Sequence, residues 1–333
     1  MHPFTYLKVT TPQDAVRAIE SAPQGARFLA GGTTLYDLMK LDVMSPPAVI
    51  DITGMPELSS MRTTGDELQF GALVPMSKVA ADPRLMMLYP ALSESLWKAA
   101  SQQLRNMASV GGNLLQRTRC AYFRGGEPYP CNKRQPGTGC AAIGGADRGQ
   151  ALFGASDACN AVYPGDWAIA LTAFGAQIDT ISPRGSRTLS VEEMFREPGK
   201  TPEMDTAIAP DELILRIRVP ASKLGRASTY HKIRDRESYA FALTSAAVAL
   251  QMDGDVVRDA RIALGGVATR PWRVRQAEQL LVGQALTPAT ARRAAEQAFE
   301  GARPGQHNAF RVELGIRTVA DALQIAMKKG ATT

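Results

Sequence analysis

An α+β fold is predicted by three features of the chain. Residues 1–57 alternate helix and strand, a longer mixed unit runs through 58–225, and from residue 226 strands come first and helices follow. At 333 residues the sequence is long enough to form more than one packed core.

The elements follow in order. Thr11-Pro12-Gln13-Asp14 is a helix start, with Thr11 as cap and Pro12 in the first turn. Ala15, Val16 and Ile19 carry its apolar face to about Glu20. Arg27-Phe28-Leu29-Ala30 reads as a short buried strand ending at Gly31-Gly32. Thr33-Thr34 then open a helix carrying Leu35, Leu38 and Met39, and residues 48–52 form a second strand. Strand character returns at 68–72, and a helix-rich span covers 77–108. Pro164-Gly165-Asp166 precede an apolar helix at 167–174, a strand at 176–181 and another at 212–219, closed by Pro220. A change of texture at 221–227 marks a boundary. Strands are expected at 228–233, 241–252 and 256–264, with a turn at Asp253-Gly254-Asp255. Helices at 274–281, 288–300 and 310–327 complete the chain. No repeat of 20 to 50 residues is visible.

Composition excludes several classes. Apolar residues make up 45% and charged residues 21%, as in ordinary globular proteins. The net charge of +6 comes from dispersed bases without a long run of one sign, which reads as a solvated surface and not a nucleic-acid site. No apolar stretch is long enough for a membrane span. Met1-His2-Pro3-Phe4-Thr5 lacks a basic region followed by an apolar run, so no secretory signal is expected. The histidines His2, His231 and His307 are far apart, and neither H-E-x-x-H nor G-x-S-x-G is present.

The four cysteines, Cys120, Cys131, Cys140 and Cys159, share one glycine-rich segment with spacing C-x10-C-x8-C-x18-C. Thiols that merely fill a core would be scattered. The C-x2–4-C knuckles of a mononuclear zinc site are absent, and the wide spacing better suits an iron–sulfur cluster. Zinc, disulfides and unlinked thiols remain open on spacing alone.

Two glycine motifs flank this segment. Ala30-Gly31-Gly32-Thr33-Thr34-Leu35 lies between a strand and a helix, and Ser109-Val110-Gly111-Gly112-Asn113 precedes the cysteines. Glycine lets backbone N–H groups approach an anion, and hydroxyl and amide side chains add donors. Two such turns can line an elongated dinucleotide from opposite sides. Gly137-Thr138-Gly139-Cys140-Ala141-Ala142 satisfies G-x-G-x-x-A but follows no apolar strand, so it is not a Rossmann turn.

The two glycine motifs, with Tyr163-Pro164-Gly165-Asp166 and Leu264-Gly265-Gly266-Val267-Ala268, resemble the FAD-binding subunit of the xanthine dehydrogenase family of molybdenum hydroxylases across essentially the whole chain. Gln116-Arg117-Thr118-Arg119-Cys120, Cys131-Asn132-Lys133-Arg134 and Gly139-Cys140-Ala141-Ala142 are similar to the branch of periplasmic aldehyde oxidoreductases. In that branch, as in 4-hydroxybenzoyl-CoA reductase, an insertion in the flavin subunit holds a [4Fe–4S] cluster.

The resemblance implies a vanillyl-alcohol-oxidase-like FAD-binding domain over 1–225, with subdomains 1–57 and 58–225 and an iron–sulfur insertion at about 117–161, then a smaller α+β domain at 226–333. Arg27, Phe28, Leu29, Ala30, Gly31, Gly32, Thr33, Thr34 and Leu35, with Ala108, Ser109, Gly111, Gly112 and Asn113, would wrap the diphosphate and ribityl chain. Thr118 and Asp166 would hydrogen-bond the cofactor, Ile214 would pack beside its adenine or ribityl part, and Lys232 would lie near the flavin ring. Cys120, Cys131, Cys140 and Cys159 would ligate the cluster. The implied function is electron relay from partner subunits, one carrying molybdenum and a small one carrying [2Fe–2S], through FAD to a small-molecule acceptor. Substrate oxidation would occur on the partner. Relatives that reduce NAD often carry an acid where Tyr239 stands, which points to another acceptor. The implied location is the periplasm, reached as a folded passenger of a signal-bearing partner, with the cytoplasm as the alternative. Competing readings are a stand-alone flavoprotein oxidase of the same fold and a zinc-stabilised nucleic-acid binder.

Overall fold

The computed structural model describes residues 1–126 and 128–331. Its N-terminal unit is a parallel sheet of β1 (Thr5–Lys8), β2 (Arg27–Leu29) and β3 (Ala48–Asp51) in the order β1-β3-β2. Parallel neighbours need crossovers. The helices Pro12–Ser21 and Leu35–Lys40 supply them, and the Thr11 hydroxyl accepts from Asp14 N at 3.1 Å at the first helix's start. Strand β1 is absent from the sequence expectation. Its residues are all exposed, including Tyr6 and Leu7, so no alternation marks it.

The second unit is a five-stranded antiparallel sheet. It contains β4 (Met61–Arg62), β5 (Glu67–Gly71), β6 (Gln177–Ser182), β7 (Gly185–Ser190) and β8 (Leu213–Pro220), in the order β4-β5-β8-β6-β7. The expected helix-rich span resolves into four short helices, Met76–Ala80, Pro83–Leu88, Pro90–Trp97 and Gln102–Met107. Proline enters the first turn of a helix but interrupts its interior, so Pro83 and Pro90 divide the span. Behind the sheet, every residue of helix Trp167–Ala173 is buried, and Trp167 meets Phe70 edge to face at 5.6 Å.

The C-terminal unit has β9 (Ser228–Ile233), β10 (Thr244–Asp253), β11 (Val256–Gly265) and β12 (Trp272–Arg273), ordered β12-β11-β10-β9 and antiparallel throughout. Strand β10 begins three residues later than the apolar run suggests, which leaves 241–243 outside the strand. The run is continuous and not alternating because both faces of this sheet are buried. Ala247, Ala249 and Ala263 join the core of the second unit. Ala246, Val248, Leu250, Ile262 and Leu264 join a core closed by helices Arg275–Leu281, Pro288–Ala298 and Phe310–Ala331.

The cysteine segment is shared between units. Its later part packs into the C-terminal core through Leu152 and Phe153, and Leu152 N donates to Val267 O at 2.7 Å. Arg311 on the last helix is buried and donates to the carbonyls of Leu243 at 2.9 Å, Gln150 at 2.6 Å and Arg148 at 3.3 Å, and to Gly266 O. Just before that helix, Gln306 N and His307 N donate to the Asp147 carboxylate at 2.7 and 2.8 Å. Burial raises the Asp147 pKa, but the His307 and Gln306 hydrogen bonds outweigh it and hold the carboxyl below its usual range.

Asp147→Ala should destabilise the protein by about 2 kcal/mol at neutral pH, the scale of lost charged hydrogen bonds. The difference is fully present above the unfolded carboxyl pKa of about 4 and shrinks as pH falls through the lower folded value. Urea unfolding of both proteins over an acid series checks it, and a difference that grows on acidification contradicts it.

Candidate functional site: a dinucleotide cleft

A cleft of about 1420 Å³ opens where the units meet. Residues 27–35 and the 108–113 segment form facing walls. Their contact is bare backbone. A Cβ built on Gly31 would stand 1.8 Å from Met107 O, far inside any permitted approach. Gly32 has φ +71°, which glycine adopts without strain. The second motif differs from the expected turn. Gly111 and Gly112 lie inside a short helix, Val110–Leu114, whose cap Ser109 accepts Gly112 N at 3.2 Å. Gly111 is small because its backbone packs on strand-end residue Ala72, where a Cβ would come within 2.8 Å of the alanine methyl.

Polar groups in these walls are left for a guest. Asn113 Oδ1 is buried without a hydrogen-bond partner among the described residues. The Thr34 side chain makes no cap bond to its helix. Arg27 lines the cleft and donates to Ala26 O at 2.8 Å; burial and the neighbouring Arg117 push its pKa down. A phosphate would relieve that crowding of cations. The Arg27 and Thr34 donors suit the diphosphate of a dinucleotide, the Asn113 acceptor suits a hydroxyl of its sugar or ribityl part, and the cleft exceeds the roughly 300–1,000 Å³ typical of drug-sized ligands.

The opposite wall comes from three sequence-distant segments. Asp166 precedes the buried helix, but its side chain does not cap it. Its carboxylate instead accepts Lys232 Nζ at 2.9 Å and Tyr230 Oη at 2.6 Å. Lys232 also donates to Lys98 O at 3.0 Å, and Ser245 Oγ lies 2.8 Å from the Tyr230 phenol. Burial, with the adjacent carboxylate, drives the Tyr230 pKa far up, so the phenol stays protonated and serves as a donor. Ile214 on β8 is buried and lines the cleft. Thr118 does not line it; its hydroxyl donates to Val162 O at 2.9 Å and accepts Cys120 N at 3.2 Å, so both roles are spent on protein. Tyr230 and Lys98 were not foreseen, because neither belongs to a motif and their partners are distant in sequence.

All four cysteines are free thiols in this structure. They approach in pairs. Cys140 and Cys159 are hydrogen-bonded, Cys131 and Cys140 face each other across a β-bridge, and Cys120 packs with Cys131 beside Leu38 and Phe123. Gln150 Nε2 lies 3.6 Å from Cys120 Sγ. Among the described residues no three cysteine, histidine or acidic side chains converge as metal ligands. The thiols fit a soft metal group in chemistry and proximity.

A cleft with apposed glycine walls and an acid–lysine pair opposite defines a dinucleotide-binding protein. Comparison with known proteins narrows this. Residues 2–222 match the FAD binding domain in molybdopterin dehydrogenase, and residues 228–326 match the CO dehydrogenase flavoprotein C-terminal domain. The chain is 43% identical to the aldehyde oxidoreductase FAD-binding subunit PaoB of Escherichia coli, over 97% of this chain and 98% of that one. It is 26% identical to the glyceraldehyde dehydrogenase medium chain of Sulfolobus acidocaldarius, over 85% of this chain and 82% of that one. Among solved structures, carbon monoxide dehydrogenase from Hydrogenophaga pseudoflava superposes with a TM-score of 0.76 at 25% identity, covering 99% of both chains. The chain belongs to the family of FAD-binding medium subunits of molybdenum hydroxylases.

The Gly31–Met107 contact makes Gly31→Ala the sharpest test of the cleft. The added methyl must push the walls apart, so the variant should purify with at least about tenfold less flavin per chain. Flavin released on denaturation, measured against protein, reports this. Full flavin content in Gly31→Ala would show that the close approach does not shape the site.

Proposed function

We propose that this chain is the FAD-binding electron-transfer subunit of a molybdenum-containing aldehyde oxidoreductase. The unpartnered Asn113 acceptor in a glycine-walled cleft, on a chain 43% identical to an aldehyde oxidoreductase flavin subunit, carries the reading. FAD, when bound, supplies a carrier that accepts electrons singly and holds two for an external acceptor. The chain's own residues hold and orient it. Backbone N–H groups around 31–34 face the diphosphate, the 109–113 segment forms the wall opposite with its own N–H groups bonded to protein, Arg27 offsets the diphosphate charge, and Asp166 accepts from a hydroxyl of the sugar part. Lys232, fixed by Asp166 and Lys98 O, presents a positive edge beside the flavin ring. No residue of this chain is assigned to acid–base work on the aldehyde. That oxidation belongs to a molybdenum-bearing partner, with a small [2Fe–2S] subunit completing the complex.

The same proposal includes a [4Fe–4S] cluster on Cys120, Cys131, Cys140 and Cys159. Four free thiols in contact pairs on one segment support it, because thiolates are the usual ligands of such clusters. The segment begins next to cleft residues Arg117 and Arg119, which favours a role in electron transfer over a remote staple. Export as a folded passenger of a signal-bearing partner completes the reading.

Anaerobically purified full chain should contain flavin stoichiometric with protein, and iron and sulfide each about fourfold over protein. Cys120→Ser should lose iron and keep flavin. A flavin-free protein sinks the electron-transfer assignment, whereas a flavin-loaded protein without iron sinks only the cluster.

A further inference from the structure

Lys98, Ala99 and Ala100 form a short turn immediately after helix Pro90–Trp97, and Ala99 and Ala100 line the cleft. Ala100 has φ +47°, a left-handed conformation that a Cβ disfavours. Such a residue persists only where its surroundings over-determine it. The carbonyls just past a helix C-terminus also lack intrahelical partners and attract cations.

Three cationic side chains meet this turn. Lys232 Nζ and an Arg234 guanidinium nitrogen donate to Lys98 O at 3.0 and 3.1 Å, and Arg105 donates to Ala99 O at 2.7 Å, with Ala100 O at 3.5 Å. Lys232 and Arg234 come from β9 and the residue after it. Arg105 is 8% exposed and has no carboxylate partner among the described residues, although an unpaired buried guanidinium is costly. Arg105 lies on helix Gln102–Met107, whose last residue presents the carbonyl that abuts Gly31. One side chain thus fixes the strained turn on one side and the helix bearing the glycine contact on the other.

We propose that Arg105 is a positioning residue for the flavin: it clamps the strained Ala100 turn and thereby sets how the Met107 carbonyl meets Gly31. It does not line the cleft itself and acts through the carbonyls of Ala99 and Ala100. The proposal rests on the flavin-site reading for its effect on affinity, but the clamp is a property of the chain alone.

The experiment is a double-mutant cycle in the full chain with Arg105→Met and Ala100→Gly, read by FAD dissociation constant and by thermal unfolding of the flavin-free protein. Arg105→Met should weaken FAD binding about ten- to hundredfold, the loss expected for charged hydrogen bonds. It should also change the visible circular dichroism of the flavin that still binds. Glycine at position 100 removes the strain that needs clamping, so the double variant should recover most of both losses. If Arg105→Met does not fold, Arg105→Lys enters the same cycle, with a smaller loss and the same recovery expected. Additive effects in the flavin-free protein overturn the clamp whether or not FAD binds. Unchanged FAD affinity and dichroism in a folded Arg105→Met protein overturn the link to the site, while failure of wild-type protein to bind FAD overturns the flavin reading and leaves the unfolding cycle to judge the clamp.

Discussion

The molecule is organised around an approach of two backbones that only glycine permits. Gly31 stands against the Met107 carbonyl with no room for a side chain, and this contact joins the N-terminal parallel sheet to the short helices of the second unit. Everything that faces the cleft is placed relative to it. The strand ending at Leu29 delivers the first motif, helix Gln102–Met107 delivers the second, and the cleft is the space that diverges from their meeting point. A dinucleotide needs close backbone on both sides of its diphosphate, and the contact provides it without long side chains.

The C-terminal unit is a structural participant in this site. Its sheet is buried on both faces, so β9 is held against the second unit and carries Tyr230 and Lys232 toward Asp166. A buried ion pair of this kind contributes little net stability after desolvation, but it fixes two polar groups at a defined place. The last helix extends the same logic to the cysteine segment. Arg311 and the loop before it hold residues 147–150, next to the thiol of Cys120. The thiol segment is thus anchored to the cleft wall at its start and to the C-terminal core at its end.

Much of the fold was legible in the sequence. Residues with strong local signals, such as the Thr11 cap and the Asp253-Gly254 turn, fall where the pattern places them, and the apolar run marks β10 apart from its first three residues. The exposed edge strands β1 and β7 left no apolar signature, and neither was foreseen. The glycine motifs marked two walls of the cleft because glycine is a local statement about backbone space. Sequence could not distinguish a turn from the short helix that holds Gly111 and Gly112. Nor could it show that Thr118 spends its hydroxyl on Val162 and Cys120, or that Asp166 is met by Tyr230 as well as Lys232. Those are facts of tertiary packing between segments far apart in the chain.

We propose the cleft between the two glycine walls as the flavin site. A crystal structure of the flavin-loaded full chain tests it most directly. The diphosphate should lie between Gly31-Gly32 and the Ser109–Asn113 helix start, with Asn113 Oδ1 newly partnered and the isoalloxazine beside Lys232. Flavin density outside the cleft, or a diphosphate remote from both glycine motifs, would contradict it.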